Sequence, residues 1–201
     1  MGNAFSDDER NMIRDRLKEV AQECLLKYGV RKTTVDEIVK RVGISKGSFY
    51  NFYPQKEVLF FTVLEEYQKS IIDGLTERLE GEEYIGAERF ADLIYELFDD
   101  VRESFLMSII QNREIEYLMR KLPKEVIEDH HSLDTLLMEK VLSHVRIKEG
   151  VDAELVAASL RAIAMNMIYA EEIGEENFDD MLKLLIRGVA IQVVEEEHGN
   201  D

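Results

Sequence analysis

Apolar side chains recur every three or four positions along this chain, and few residues interrupt the pattern. Near the amino terminus they form one stripe: Ile13, Leu17, Val20, Ala21, Cys24 and Tyr28. The same spacing returns later: Phe90, Ile94, Leu97, Phe98, Val101 and Phe105. This spacing is typical of amphipathic α-helices, and only 2 prolines and 11 glycines stand among 201 residues to break them. The sequence therefore predicts an all-α protein.

Two short helices are predicted on either side of a tight turn. Thr34 and Glu37 have the spacing of a capping box at the start of the first helix. Gly43 can adopt the left-handed conformation that ends that helix, and Ser45 can cap a second helix that begins at Lys46. Two short helices separated by about three residues are typical of a helix-turn-helix, whose second helix enters the major groove of DNA.

The charge of the chain is divided unevenly. The net charge is −17, but residues 1–60 carry +2, and the segment from Lys27 to Lys56 carries +5. The rest of the chain carries −19. A polyanion such as DNA is attracted only to the basic part. Any nucleic-acid site is therefore expected within the first sixty residues.

Three segments, 33–38, 42–50 and 56–59, resemble the DNA-binding part of the tetracycline-repressor (TetR) family. The resemblance covers about residues 10–64. It implies an amino-terminal three-helix helix-turn-helix domain, residues 1–56, with a bridging helix at about 56–80. It also implies a larger helical domain, residues 57–201, that binds an effector and dimerises. These expectations define a regulator of transcription, with repression as the expected outcome.

Nine residues of the segment are predicted to contact DNA: Thr33, Thr34, Ser45, Lys46, Gly47, Ser48, Tyr50, Asn51 and Lys56. Hydroxyl groups at a helix amino terminus favour a phosphate oxygen, as do lysine side chains. A glycine lets the backbone approach DNA closely. Short donor and acceptor side chains, as in Ser48 and Asn51, suit base edges, and Tyr50 suits a phosphate or a thymine methyl group.

Other interpretations of these residues stay open. Thr34 can be a helix cap alone, Tyr50 can belong to the core, and Lys46 by itself would be an ordinary solvated lysine. The sequence also departs from the family pattern in two places. Phe52 occupies the position of a phosphate donor, which moves the hydroxyl to Tyr53. Gln55 replaces the usual cap residue in front of Lys56.

Two carboxyl-terminal segments are apolar on nearly every side. They lie within about 153–173 and 178–194, and a helix of this kind must be covered all round. A four-helix interface of a homodimer would cover both.

The larger helical domain, residues 57–201, is rich in methionine. This composition suits a pliable pocket for a largely apolar small molecule, although plain core packing explains it as well. The candidate effector residues are Met107, Met138, Met165, Asn166 and Tyr169. Asn166 is a candidate because an amide buried in an apolar helix needs a partner.

Other classes of function find little support in the sequence. The histidine spacings do not suit a metal site, and no nucleotide-binding or hydrolase motif is present, so no catalytic residue, metal or cofactor is predicted. The first residues do not resemble a secretion signal, which predicts a cytoplasmic protein without a membrane partner. The alternatives are a helical interaction protein that has lost DNA binding and, in third place, an enzyme.

Overall fold

The computed structural model describes residues 5–124, 126 and 139–196. Their helices, numbered here in chain order, are α1 Asp7–Lys32, α2 Val35–Val42, α3 Lys46–Tyr50, α4 Lys56–Arg78, α5 Ala87–Arg102, α6 Phe105–Gln111, α7 Ile115–Lys121, α8 Ala153–Met165, α9 Ala170–Ile173 and α10 Glu175–Val193. A 3₁₀ turn, Asn166–Tyr169, joins α8 to α9. The predicted all-α fold class is confirmed.

Helix α1 is longer than its apolar stripe indicates. It begins with a capping box, in which the backbone N–H of Glu9 donates to the Ser6 hydroxyl and the backbone N–H of Ser6 donates to the Glu9 carboxylate. At the other end, Gly29 interrupts the regular helix. Its φ of 75° and ψ of −179° are not helical, and a short turn beyond this kink reaches Lys32.

The division between α5 and α6 also differs from the sequence pattern. Phe105 was expected to continue the stripe of α5, but α5 ends at Arg102 and Phe105 begins α6. The reason is a local cap, because the backbone N–H of Leu106 donates to the Ser104 hydroxyl at 3.2 Å. A serine in this position starts a new helix even where the apolar spacing runs on.

The chain packs into two compact units. The first comprises Met1–Tyr67 and Ser104–His130, and it therefore joins α1, α2, α3 and the start of α4 to α6 and α7. Fully buried side chains fill its core: Leu17, Cys24, Ile38, Phe49, Leu59, Phe60 and Leu118. Burial of Cys24 agrees with its interpretation as a small core residue.

The second unit comprises Gln68–Glu103 and His131–Asp201. Here α5 packs against α10, and α8 also packs against α10. The buried side chains of these helices include Phe90, Leu93, Leu160, Phe178, Leu182 and Ile186. Both units are defined by packing and not by activity, so the functional division at residue 56 stays a prediction.

Candidate nucleic-acid interface

Hydrogen bonds within a few residues build the turn between α2 and α3. The Thr34 hydroxyl caps α2 by accepting the backbone N–H of Glu37 at 3.2 Å. Gly43 has φ 82° and donates its N–H to the Val39 carbonyl at 2.8 Å, and the Ser45 hydroxyl caps α3. The predicted caps and the predicted left-handed glycine are confirmed.

Helix α3 is anchored to the core of the first unit through one side chain, Phe49. The ring of Phe49 is fully buried and meets the ring of Tyr50 edge-on, with 5.4 Å between ring centroids. Tyr50 itself is 50% exposed, so its alternative placement in the core is excluded. Lys46, Gly47 and Asn51 are exposed as well. Helix α3 therefore presents a small polar surface opposite Phe49.

Ser48 is less available than the other residues of α3. It is half-buried, and its hydroxyl lies 2.8 Å from the hydroxyl of Ser45. Its backbone N–H also donates to the Ser45 hydroxyl at 3.0 Å. These bonds place Ser48 in the cap of α3, and a base contact would have to share its hydroxyl.

Lys46, the lysine of α3 that is predicted to bind a phosphate, forms an ion pair within the protein. The Lys46 ammonium donates to the Asp36 carboxylate at 3.0 Å, and both side chains are mostly exposed. This hydrogen bond raises the pKa of Lys46. Asp36 is not among the residues that the sequence predicts for this surface, although it is the second residue of α2 and contacts Lys46.

Two predicted phosphate ligands lie further inside than expected. The Thr33 hydroxyl is buried and donates to the Gly29 carbonyl at 2.7 Å. The Lys56 ammonium donates to the carbonyls of Val30 at 2.7 Å and Thr33 at 2.6 Å. Partial burial lowers the pKa of Lys56. Thr33 is thereby corrected to a structural residue, while Lys56 keeps one ammonium proton that these two bonds do not use.

Tyr53, which carries the hydroxyl expected to replace the donor at position 52, is mostly buried. Tyr53 is buried, with its ring centroid 6.2 Å from that of Phe49, and burial raises the pKa of its hydroxyl. Phe52 instead lies under the guanidinium of Arg10, 5.2 Å from its ring centroid. Both aromatic residues therefore hold α1 and α3 together.

The candidate effector residues do not form one site within either unit. Met107 is buried and belongs to the first unit, whereas Met165, Asn166 and Tyr169 belong to the second. Met138 lies outside the described residues. The expected buried amide is corrected, because Asn166 is half-buried and donates its side-chain N–H to the Ala162 carbonyl at 3.0 Å.

A cleft in the second unit runs between α5 and α10. Its volume is about 280 Å³, and its lining consists of Ala91, Asp92, Tyr95, Asp180, Lys183, Leu184 and Arg187. The Lys183 ammonium lies 4.6 Å from the centroid of the Tyr95 ring. This charged, open lining differs from the largely apolar pocket that the sequence predicts. Among the described residues, no group of three metal-ligating side chains occurs.

Large apolar side chains are exposed along the carboxyl-terminal helices: Leu155, Met165, Tyr169, Ile173, Leu184, Leu185 and Ile191. Residues 153–173 are also long and apolar enough to cross a membrane by length and composition alone. Here they are interrupted by the 3₁₀ turn, and α8 packs on α10. Such a segment is weak evidence for a membrane span and is equally typical of an interface between protein subunits.

Residues 17–63 match the family model described as "Bacterial regulatory proteins, tetR family". The chain is also 22% identical over 181 residues to the fatty acid metabolism regulator protein of Bacillus subtilis, which covers 85% of this chain and 92% of the relative. This likeness extends the match from the amino-terminal unit to most of the chain.

Two solved structures have the same fold. A TetR family transcription regulator from Marinobacter aquaeolei superposes with a TM-score of 0.64 at 17% identity, over 95% of this chain and 100% of that one. The regulator FadR from Bacillus subtilis, in complex with stearoyl-CoA, superposes with a TM-score of 0.58 at 20% identity. The superposition covers 88% of this chain and 95% of that one. The helical carboxyl-terminal part is therefore shared with these proteins together with the helix-turn-helix.

Proposed function

We propose that the chain is a transcriptional regulator of the TetR family, a dimeric repressor released from a palindrome-like operator by a small molecule. The observation that carries this proposal is the exposed polar surface of α3. It combines a lysine, a glycine, a tyrosine and an asparagine opposite the buried ring of Phe49. Such a helix can enter a major groove without disturbing its own core.

Each exposed residue has a proposed role at the DNA. Lys46 exchanges Asp36 for a phosphate, and Gly47 allows close approach of the backbone. Asn51 contacts a base edge, and Tyr50 contacts a phosphate or a thymine methyl group.

The residues of the two caps contribute at the margins of this surface. Thr34 and Ser45 offer phosphate contacts at the starts of α2 and α3, and Ser48 contacts a base only by sharing its hydroxyl. Lys56 donates a hydrogen bond from its remaining ammonium N–H to a phosphate of the DNA backbone.

The exposed apolar surface of α8, α9 and α10 is the proposed dimer interface. Paired with its copy, it buries side chains that one protomer leaves in water. A two-fold symmetric dimer presents two copies of α3 to successive major grooves, about 34 Å apart along B-DNA. The operator should therefore contain two inverted half-sites.

The proposed effector is a largely apolar small molecule. FadR of Bacillus subtilis, which shares this fold, holds stearoyl-CoA in its structure, and this supports an effector with a long apolar part. Met107, Met138, Met165, Asn166 and Tyr169 stay the candidate contacts, although Asn166 must exchange its bond to Ala162 for one to the ligand. The names of the relatives support a non-enzymatic, cytoplasmic regulator.

Selection of bound fragments from a random DNA pool with the full-length protein tests the proposal. We expect enrichment of one motif made of two inverted half-sites. A Lys46→Ala/Tyr50→Ala double variant is the matched control, because both side chains are exposed on α3 and their loss spares the core. No enrichment by the folded wild-type protein would favour the alternative, a helical interaction protein without DNA binding.

A further inference from the structure

The end of α1 is bent at Gly29, and residues 29–33 are called the bent end below. Gly29 has φ 75° and ψ −179°, which turns the next backbone N–H groups away from the geometry of a regular helix. Buried N–H groups without an acceptor are costly. A side chain distant in sequence provides that acceptor here.

The acceptor is the carboxylate of Glu114, which is only 5% exposed. It receives the backbone N–H of Val30 at 2.6 Å and that of Arg31 at 3.1 Å. The fit is close at Gly29, where a Cβ atom would clash with the carboxylate oxygen Oε2 of Glu114. Two backbone N–H groups therefore share one side-chain carboxyl group as their acceptor.

A strained corner between α6 and α7 delivers this carboxylate. Arg113, directly before Glu114, has φ 52°, a left-handed conformation that non-glycine residues adopt only when their surroundings enforce it. The backbone of Glu114 is fixed on both sides, since its N–H donates to Ile109 and its carbonyl accepts from Leu118. Ile109 and Leu118 are themselves buried in the core.

The bent end of α1 is also bonded to the elements that carry the candidate DNA interface. Lys56, at the start of α4, donates to the carbonyls of Val30 and Thr33. The Thr33 hydroxyl donates to Gly29, and the next residue, Thr34, caps α2. Glu114 is thus connected through Val30 to Lys56 at the start of α4. Lys56 is bonded in turn to Thr33, which precedes the cap of α2.

We propose that Glu114 is a positioning residue for DNA binding: its carboxylate fixes the bent end of α1 and thereby sets the starts of α2 and α4. This proposal rests on the proposed function, because it concerns how the same surface is held. Withdrawal of the carboxylate, by any movement of the α6–α7 corner, leaves two buried N–H groups without an acceptor. The corner is therefore a point at which DNA affinity can be lowered without contact to DNA.

Amide hydrogen exchange tests the contact in the DNA-free protein. Glu114→Gln keeps the size of the side chain but removes its charge and one of its acceptor oxygens. We expect the Val30 and Arg31 amides to exchange at least about tenfold faster than in wild type. The matched control is Glu116→Gln, the same change at an exposed position of α7, which should leave both rates unaltered. Unaltered rates in Glu114→Gln would overturn the proposed contact.

DNA binding then separates positioning from mere stability. Measured where each variant is fully folded, Glu114→Gln should bind the selected operator about tenfold more weakly, with an unchanged salt dependence because no phosphate contact is lost. Glu116→Gln should bind like wild type. Faster exchange together with wild-type affinity would overturn the positioning role and leave Glu114 a structural residue.

A measurement on wild type covers the case in which Glu114→Gln does not fold. If the fixed bend is the state that binds DNA, saturating operator must slow exchange at Val30 and Arg31, since binding and bending are linked. Equal exchange rates with and without operator would contradict the proposal. If wild type selects no DNA, the proposed function fails on its own, while the exchange rates of Glu114→Gln still report on the contact.

Discussion

At the residue scale, the exposed lysine of α3, Lys46, has an acidic partner that a DNA phosphate can replace. Its ammonium is paired with Asp36 at 3.0 Å, and an exposed pair of this kind contributes little to folding. Exchanging one carboxylate for a phosphate therefore costs little. Under the proposed function, the pair orients the Lys46 side chain until a phosphate replaces Asp36.

We expect Lys46→Ala to weaken binding to all DNA sequences by a similar factor, because a point charge on a phosphate carries affinity and little sequence information. The slope of log K against log salt concentration should fall by about one unit, measured by titration at several salt concentrations. Lys69→Ala, an exposed lysine in the second unit, is the control. An unchanged slope in Lys46→Ala would remove the phosphate contact.

Asp36→Asn should have the opposite effect. Without the carboxylate, Lys46 loses its competing partner and the repulsion of DNA phosphates decreases, so affinity for all sequences should rise. Parallel titrations of specific and random DNA measure this. A loss of affinity confined to one base position would instead show that Asp36 accepts a hydrogen bond from a cytosine.

Lys56→Ala should lower both stability and DNA affinity, in contrast to Lys46→Ala. Its ammonium satisfies two carbonyls in the bent end of α1, and hydrogen bonds to a charged group contribute about 1.5–3 kcal/mol each. We expect the free energy of unfolding in urea to decrease by about 2 kcal/mol, less than the sum of two such bonds because water reaches the half-buried ammonium. Unchanged stability would show that water replaces Lys56 at these carbonyls.

At the scale of the element, helix α3 combines a poor helix former with an exposed surface. Gly47 lies inside the helix, and a Cβ atom there would meet only the Ser45 hydroxyl, at 3.8 Å. Alanine is preferred to glycine in a helix interior by up to about 1 kcal/mol. Glycine at this position therefore lowers the stability of α3 relative to alanine.

Gly47→Ala should consequently raise the free energy of unfolding by about 0.5–1 kcal/mol and weaken DNA binding. Thermal unfolding and operator titration of the same sample measure the two effects. Gly43→Ala is the contrasting change, since φ 82° makes it costly by about 1–2 kcal/mol although space is available. Gly47→Ala with full DNA affinity would show that the backbone of α3 does not approach DNA closely.

At the scale of the whole molecule, the exposed apolar surface of α8, α9 and α10 is the proposed dimer interface. Two apolar residues of these helices distinguish folding from association. Ile191 is 51% exposed and available to a second protomer, whereas Leu160 is 3% exposed and belongs to the protomer core. A charge at each position should therefore have a different result.

We expect Ile191→Glu to yield a folded monomer, because the charge cannot be desolvated at the interface. Leu160→Glu should unfold the second unit, because it buries a charge without a partner. Sedimentation velocity at micromolar concentration, with circular dichroism of the same samples, separates these outcomes. A dimeric Ile191→Glu would place the interface on other residues.

Much of the fold and of the DNA-binding surface is predictable from the sequence because it depends on neighbours. Thr34, Gly43 and Ser45 act on groups at most four residues away, so their spacing alone predicts α2, the turn and α3. The same locality leaves Lys46 and Tyr50 on the exposed side once Phe49 is buried. The resemblance to the TetR family rests on these local signals.

The tertiary structure alone decided which polar groups remain for ligands. Thr33 and Lys56 match the predicted motif, yet bonds at the bent end of α1 engage them inside the protein. Glu114 stands 84 residues from its partner Val30, and no local pattern marks it. A side chain's residue type fixes what it can donate or accept, but chain packing determines which partner reaches it first, because burial makes an unpaired polar group costly.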